Sequence, residues 1–483
     1  MSEKDITSPF NPEEFRKEGH KLVDTLANYL NDAFSGKEMA VLPWVEPDLL
    51  VENFAFADIY GENENPDSFF SRVIESSIHI HHPNYIGHQV TSPLPVTALA
   101  QLCTSLLNNG AAVYEMGPVN MAMEKNVIKK FGELMGYTTE YDGIFTHGGS
   151  AGNLTAMLAA RQNISDYNIW DEGVKEQGKP VFLISTQAHY SIGRNIRIMG
   201  LGSSSAVSVP SDEDFHMRTE CLEELKIKAE ESGARVIAVV ASACSTATGS
   251  YDKLEAVADF CYKHKLWMHV DGAHGMGVLF SDKYRNLVKG IERADSVVID
   301  FHKMFLVPAL NTLVMFKNGE SSFETFAQKA SYLFHRKEKN VWYDSAIRTL
   351  ECTKSALGII AYTALKYYGN GYYSDYIESR YDLARRFANI IRYTEQLEII
   401  TEPQSNIICF RYKDKNLSDK ELNRINSSIR EKIVKDGSFY IVRTELNGKV
   451  WIRITIINPL TTEKELRSLL SKILELAVMK KES

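Results

Sequence analysis

The chain has 483 residues, 44% of them hydrophobic and 24% charged, with a formal net charge of −8. At roughly 150 residues per domain the length suggests about three units, and the composition is that of a soluble globular protein. The net acidity disfavours a nucleic-acid partner, and no run of about 18 apolar residues is present to span a membrane. The opening MSEKDITSPFNPEEF lacks the basic-then-apolar order of a secretory signal. Six scattered cysteines without a C-x-x-C pair fit a reducing cytoplasm and argue against a disulfide framework or a zinc site.

An amphipathic helix opens the chain. Asn11 can cap it, Pro12 suits its first position, and Glu13 and Glu14 suit its positive end. Phe15, Leu22, Leu26, Tyr29 and Ala33 then recur at helical spacing. VLPWVEPDLL follows as a connector or as an arm lying on another surface. His79, His81 and His82 in HIHHP form a histidine cluster, but no carboxylate or cysteine cluster joins them, so no metal is expected. The segment HHPNYIGHQ reads better as the lining of a substrate mouth, with His88 and Gln89 as polar candidates.

From about Tyr85 to Ala361 short β-rich runs (GIFTH, PVFLIS, VIAVVASA, WMHVD, SVVID, TLVMF) alternate with helical patterns. That alternation predicts an α/β fold with a mainly parallel sheet covered by helices on both faces. After about Tyr362 come a long helical region, NIICFRY, a helix near Lys420–Asp436, and two alternating runs joined by Asn447-Gly448, a strong hairpin signal. Thr462 and Glu465 form a capping-box pattern for a last helix. The expected organisation is an N-terminal helical arm over residues 1–84, a large domain over 85–361, and a small α+β domain over 362–483.

In open parallel sheets ligands bind beyond the carboxyl ends of the strands. GIFT ends in HGGSAGN, whose Gly148, Gly149 and Ser150 would let backbone N–H groups approach an anion at a helix start; a plain strand–helix turn reads equally well. His189 follows another strand end. CSTATG is small and hydroxylated. Asp271 ends WMHVD and needs a cationic or N–H partner; a helix cap is the competing reading. VVID runs into His302 and Lys303. A desolvated lysine is expected to have a lowered pKa and to be a good amine nucleophile towards an aldehyde. Pyridoxal phosphate is an aldehyde that also needs an anion cradle and a carboxylate opposite its pyridine nitrogen. Lys303, Gly149-Ser150 and Asp271 supply all three.

Those residues, with EEFRKEGHKLVDTLANYL, HPNYIGHQ, VYEMGPV, SAGNLTAMLAAR, AHYSI, HVDGAHG, FSDKYRNLVKGIERADSV, HKM, SYLF, SNIICFRY and RITIINPLTT, carry a resemblance over the whole chain. It resembles the group II pyridoxal phosphate-dependent amino-acid decarboxylases, the family of glutamate, cysteine-sulfinate, aromatic-amino-acid and diaminobutyrate decarboxylases. The resemblance implies a type I, aspartate aminotransferase-like fold and a homodimer with active sites at the subunit interface. It implies that Lys303 carries the cofactor, Asp271 pairs with the pyridine nitrogen, and His189 stacks on the ring. Gly149, Ser150 and His302 would hold the phosphate, and Thr246 would lie beside the ring. Tyr332, in ASYLFHRKEKN, matches a mobile-loop tyrosine that protonates the reacting carbon. Arg453 matches an arginine that pairs with the substrate carboxylate.

The chain departs from the family pattern in places. Asp300-Phe301 stands where many relatives have Asn-Pro or Asp-Pro, so Asp300 must point away from the phosphate, be neutralised by His302, or weaken cofactor binding. His274 replaces an aromatic residue near the site, and Cys244-Ser245 stands where relatives often have Gly-Thr. VYEMGPV and SYLF resemble the glutamate and cysteine-sulfinate branch, and His88, His147 and His274 add polarity. The expected reaction is α-decarboxylation of a polar, acidic or diamino, L-amino acid. An aromatic substrate, an aldehyde synthase or lyase outcome, and a non-catalytic cofactor-binding regulator are the competing readings; an intact Tyr332 argues against the aldehyde synthase.

Overall fold

The computed structural model describes residues 6–35, 39–55, 66–138, 140–175, 177–323, 325–326 and 342–479. Tyr332 lies outside the described residues. The chain divides into two compact units. One comprises Met1–His88, Thr394–Glu398 and Phe410–Ser483; the other comprises Gln89–Tyr393 and Ile399–Cys409.

The first unit opens with α1 (Pro12–Phe34). Asn11 Oδ1 accepts from the Glu13 N–H at 2.9 Å, the cap expected from its sequence. Of the stripe Phe15, Leu22, Leu26, Tyr29 and Ala33, only Ala33 is buried. Two short helices follow, α2 (Pro47–Asn53) and α3 (Pro66–Glu75).

The second unit contains α4 (Pro95–Leu107), α5 (Pro118–Met135), β1 (Asp142–Thr146), α6 (Gly149–Ile164), α7 (Ile169–Glu172), β2 (Lys179–Ser185), α8 (Tyr190–Ile198), β3 (Ala206–Val209), α9 (Leu222–Glu231) and β4 (Ala234–Ser242). It continues with α10 (Leu254–His264), β5 (Trp267–Asp271), β6 (Ser296–Asp300), β7 (Thr312–Phe316) and α11 (Leu357–Arg392). Among the described residues these strands form a seven-stranded sheet in the order β1-β7-β6-β5-β4-β2-β3. The pairings from β3 through to β6 are parallel, while β7 is antiparallel to both β6 and β1. Every residue of β1, β5, β6 and β7 is buried, as unbroken apolar strands require.

Helix α6 fixes where the site begins. It is buried from Gly152 through Arg161. Ala156, Met157, Ala159 and Ala160 join Phe182, Val240, Val298 and Val314 in one apolar cluster. Small alanines let the helix lie close to the sheet, so its first turn sits near the strand ends. Gly148, just before it, has φ +93°, a conformation an L side chain rarely adopts. Helix α11 is broken at Gly369, whose φ is +69°.

The remaining elements are β8 (Leu397–Ile399), β9 (Ile407–Tyr412), α12 (Asp419–Lys435), β10 (Val442–Leu446), β11 (Lys449–Thr455) and α13 (Glu463–Met479). Strands β8 and β9 each carry the chain from one unit to the other. The expected hairpin joins β10 to β11, with Asn447 at φ 53° and Gly448 at φ 72°, the positive pair of a type I′ turn. Glu465 accepts from the Thr462 N–H at 2.8 Å, as the capping-box pattern predicts. Among the described residues no helix is long and apolar enough to cross a membrane.

Candidate active site

Strands β4, β5 and β6 run parallel in adjoining positions, with Ser242 opposite Asp271 and Asp271 opposite Val298. Their carboxyl ends and the start of α6 open onto one cavity of about 230 Å³ within the second unit. Gly149, Ser150, His189, Thr246, His274 and Asp300 line it, together with Asp271, His302 and Lys303. The sequence had proposed all nine.

Asp271 is 7% exposed. Its Oδ1 accepts from the Ala273 N–H at 3.2 Å and its Oδ2 from Asn153 Nδ2 at 3.1 Å. Both donors are neutral N–H groups, so neither is a counter-charge to the carboxylate. His189 caps α8, and the Ser191 N–H donates to its Nδ1 at 3.3 Å. The ring hydrogen of the neutral imidazole is therefore on Nε2. Burial pushes the His189 pKa down, against the opposing pull of Asp271.

Lys303 Nζ lies 2.9 Å from Asp300 Oδ2. Burial would lower its pKa, but Asp300 and Asp271 outweigh burial and hold it above the ordinary lysine value. This corrects the expectation of a lowered lysine pKa: desolvation acts as supposed, and two carboxylates reverse it. The Asp300 pKa is in turn depressed: burial pushes it up, and Lys303 and His302 pull it further down. Thr312 Oγ1 donates to its Oδ1 at 2.6 Å, while His302 Nε2 stands 3.7 Å from Oδ2. Neutralisation of Asp300 thus comes first from Lys303 rather than from His302. His302 Nδ1 is engaged by Asn311, 3.0 Å from its carbonyl oxygen.

Beside Asp300 the first N–H groups of α6 have no intrahelical acceptors, and the helix dipole favours an anion there. A Cβ at position 149 would come within 3.1 Å of both Asp300 oxygens, a tight contact that glycine avoids. Arg194 on α8 donates to Ser150 Oγ at 3.0 Å. This cation beside the cradle was not singled out from the sequence. His147 stands at the rim between Glu351 (3.2 Å) and Ser355 (2.8 Å), and His274 Nε2 is 2.8 Å from Asn406 Oδ1.

The donor set fits pyridoxal phosphate: a lysine amine for the aldehyde, a carboxylate for the pyridine nitrogen, an imidazole for the ring face, and a helix start with Ser150 and Arg194 for the phosphate. Asn153, His269 and Ser296 were also missed by sequence reasoning. The signal for His269 was its place two residues before Asp271, on the same face of β5.

The remaining candidates lie elsewhere. Gln89 is half-buried in the second unit. In the first unit the His88 ring is 5.5 Å from the Tyr440 ring, and Arg453 Nη1 donates to the Gly87 carbonyl at 3.4 Å. Burial, then Arg453 and Arg430, push the His88 pKa down. His79 packs against Tyr29 at 5.4 Å, and His82 Nδ1 accepts from the Asn84 N–H. Among the described residues no group of three or more histidine, cysteine, aspartate or glutamate side chains is placed to hold a metal ion.

Comparison with known proteins agrees with the geometry. Residues 65–413 match the model of the pyridoxal-dependent decarboxylase conserved domain. The chain is 30% identical to the human acidic amino acid decarboxylase GADL1 over 83% of this chain and 79% of that protein. It is 26% identical to the L-2,4-diaminobutyrate decarboxylase of Acinetobacter baumannii over 86% of this chain and 84% of that one. The crystal structure of mouse CSAD superimposes with a TM-score of 0.90 at 25% identity, covering 97% of this chain and 99% of that one.

Proposed function

The chain belongs to the pyridoxal-dependent decarboxylase family, and from that premise we propose that it removes the α-carboxyl group of a polar L-amino acid, acidic or diamino, to give the amine. It is a pyridoxal phosphate-dependent carboxy-lyase. The observation that carries the residue assignments is the meeting of Lys303, Asp271, His189 and the α6 start in one cavity. The polar substrate class is supported by the names of the two relatives, one acting on acidic amino acids and one on 2,4-diaminobutyrate. His147 and His274 in the cavity lining support it too.

When bound, the cofactor supplies a sink for the electrons left behind as CO2 departs. The chain's own groups do the rest. Lys303 would hold the cofactor's aldehyde carbon through its amine. Asp271, held by two neutral N–H donors, would pair with the ring nitrogen and favour its protonated form. His189 would cover the ring. The α6 start, Ser150 and His302 would hold the phosphate, and Thr246 would lie beside the ring. Tyr332 returns a proton to the α carbon, and Arg453 pairs with the substrate carboxylate; both roles come from the family resemblance. His88, Gln89 and His274 are candidates for side-chain recognition.

We further infer a homodimer with active sites at its interface, supported by the apolar face of α4: Leu99, Leu102, Leu106 and Leu107 are all exposed. All six cysteines are free thiols, which supports a cytoplasmic location.

The test is a panel of acidic, diamino and aromatic L-amino acids scored for CO2 and amine. Acidic or diamino substrates should be turned over, and Lys303→Ala should lose at least about a thousandfold in rate. Turnover of aromatic substrates alone would sink the substrate class. Wild-type CO2 release by Lys303→Ala would sink the site.

A further inference from the structure

We propose that Asn153, His269 and Ser296 form a one-way hydrogen-bond chain that holds the Asp271 carboxylate poised for the pyridine nitrogen. The inference rests on the reading of Asp271 given above and adds three positioning residues behind it. The links are short and buried. Trp267 Nε1 donates to Ser296 Oγ at 2.8 Å, and Ser296 Oγ is 2.9 Å from His269 Nδ1. His269 Nε2 is 2.9 Å from Asn153 Oδ1, and Asn153 Nδ2 is 3.1 Å from Asp271 Oδ2. His269 and Ser296 are 0% exposed and Asn153 1%.

The two ends of the chain fix the sense of every link between them. An indole N–H can only donate, and an ionised carboxylate can only accept. Asn153 must therefore turn its amide nitrogen to Asp271, which turns its oxygen to His269. That oxygen needs the hydrogen of His269 on Nε2. His269 Nδ1 is then an acceptor and takes the Ser296 hydroxyl hydrogen, while Ser296 Oγ accepts from Trp267. Reversing the amide would set two oxygens against each other at Asp271. Burial pushes the His269 pKa down to about 4, so the ring is neutral and carries a single N–H, as this arrangement demands.

Asn153 also reaches sideways. Its Nδ2 is 3.5 Å from Ser191 Oγ, which lies 2.8 Å from His189 Nδ1. One amide thus ties together the carboxylate proposed for the ring nitrogen and the imidazole proposed for the ring face. Every hydrogen in the chain points towards Asp271, so each link favours its anion. Among the described residues, the titratable groups that face Asp271 are Lys303, His189 and His269.

The test loads the full chain with pyridoxal phosphate. It reads cofactor affinity and the pH at which the near-visible absorbance band changes. Asn153→Leu should weaken cofactor binding on the order of tenfold and move the spectral transition to lower pH. Ser296→Ala should act in the same direction and less. His269→Gln, whose side-chain N–H can still serve Asn153, should stay within about twofold of wild type where His269→Phe does not. If Asn153→Leu cannot fold, Ser296→Ala carries the test, since it deletes only one oxygen. Variants that lose thermal stability but keep wild-type affinity and spectral pH would overturn the proposal. Asp271→Asn separates the two readings. If it too leaves affinity and spectrum unchanged, the assignment of Asp271 fails; if it changes both while the other variants do not, the chain behind it fails.

Discussion

Asp300 is a buried anion set against the start of α6, where the proposed function puts a phosphate. Its carboxylate is held by Lys303 at 2.9 Å and Thr312 at 2.6 Å, and its oxygens lie 3.1 Å from where a Cβ at Gly149 would be. Two unit charges about 5 Å apart at an effective dielectric of about 20 repel by about 3 kcal/mol. Asp300 also keeps Lys303 in its charged form, which is not a nucleophile. Both effects oppose cofactor capture. Asparagine at this position can still accept from Thr312 without the charge, and burial would then lower the Lys303 pKa against Asp271 as the remaining carboxylate. Asp300→Asn is expected to bind pyridoxal phosphate about tenfold more tightly and to capture it faster. The check is the near-visible absorbance after adding cofactor to the cofactor-free chain. Equal or weaker binding would mean that Lys303 fully cancels the charge. The sequence marked Asp300-Phe301 as a departure and left three outcomes open, with Asp300 pointing away, neutralised by His302, or weakening cofactor binding; Lys303 as its partner was not among them. The i,i+3 turn that brings Lys303 closer lies in a loop, where spacing alone does not set direction.

Strand β5 shows both what an element's sequence states and what it withholds. WMHVD puts Trp267, His269 and Asp271 on one face by period two, and all three belong to the hydrogen-bond chain. That regularity was legible. Their partners were not: Asn153 and Ser296 come from α6 and β6, and only the parallel packing of the sheet brings them to β5. The neutral buried histidine also has a cost in acid. In the unfolded chain an imidazole takes up its proton near pH 6.5, while His269 resists to about 4. A depressed pKa contributes stability that is fully present above the unfolded value and is lost as pH falls towards the folded one. His269 alone should therefore remove on the order of 3 kcal/mol between pH 6.5 and 4. Urea unfolding at pH 7 and pH 4.5 should show a smaller acid loss for His269→Gln than for wild type, by most of that amount. An equal loss in both would place the acid sensitivity elsewhere.

At the scale of the whole molecule, the alternation of strand and helix announced an α/β sheet, and the structure has one. Strand direction was harder to read. GIFTH and TLVMF are mostly apolar without alternation, like the parallel strands, yet β1 and β7 pair antiparallel, because burial on both faces leaves no alternation to read. The long stripe of α1 was a sound helix signal, but Phe15 is 51% and Leu26 41% exposed. A single sequence states that a face is apolar and not which chain covers it. Helix α4 poses the same question more sharply. Leu99, Leu102, Leu106 and Leu107 are 48–66% exposed, and its buried residue is Thr97. An apolar helix turned outward in this way is costly in water, and a second copy of the chain would relieve that cost. Replacing Leu102 and Leu106 with glutamate puts two charges into that face without touching the chain's own core. The double variant should keep its helical circular dichroism, weaken self-association by at least about a hundredfold, and sediment as a monomer at concentrations where wild type is a dimer. It should also lose decarboxylase activity in step with dissociation, because the proposed sites lie at the interface. A variant that sediments with the wild type would clear α4 of that role, and a fully active monomer would show that each chain completes its own site.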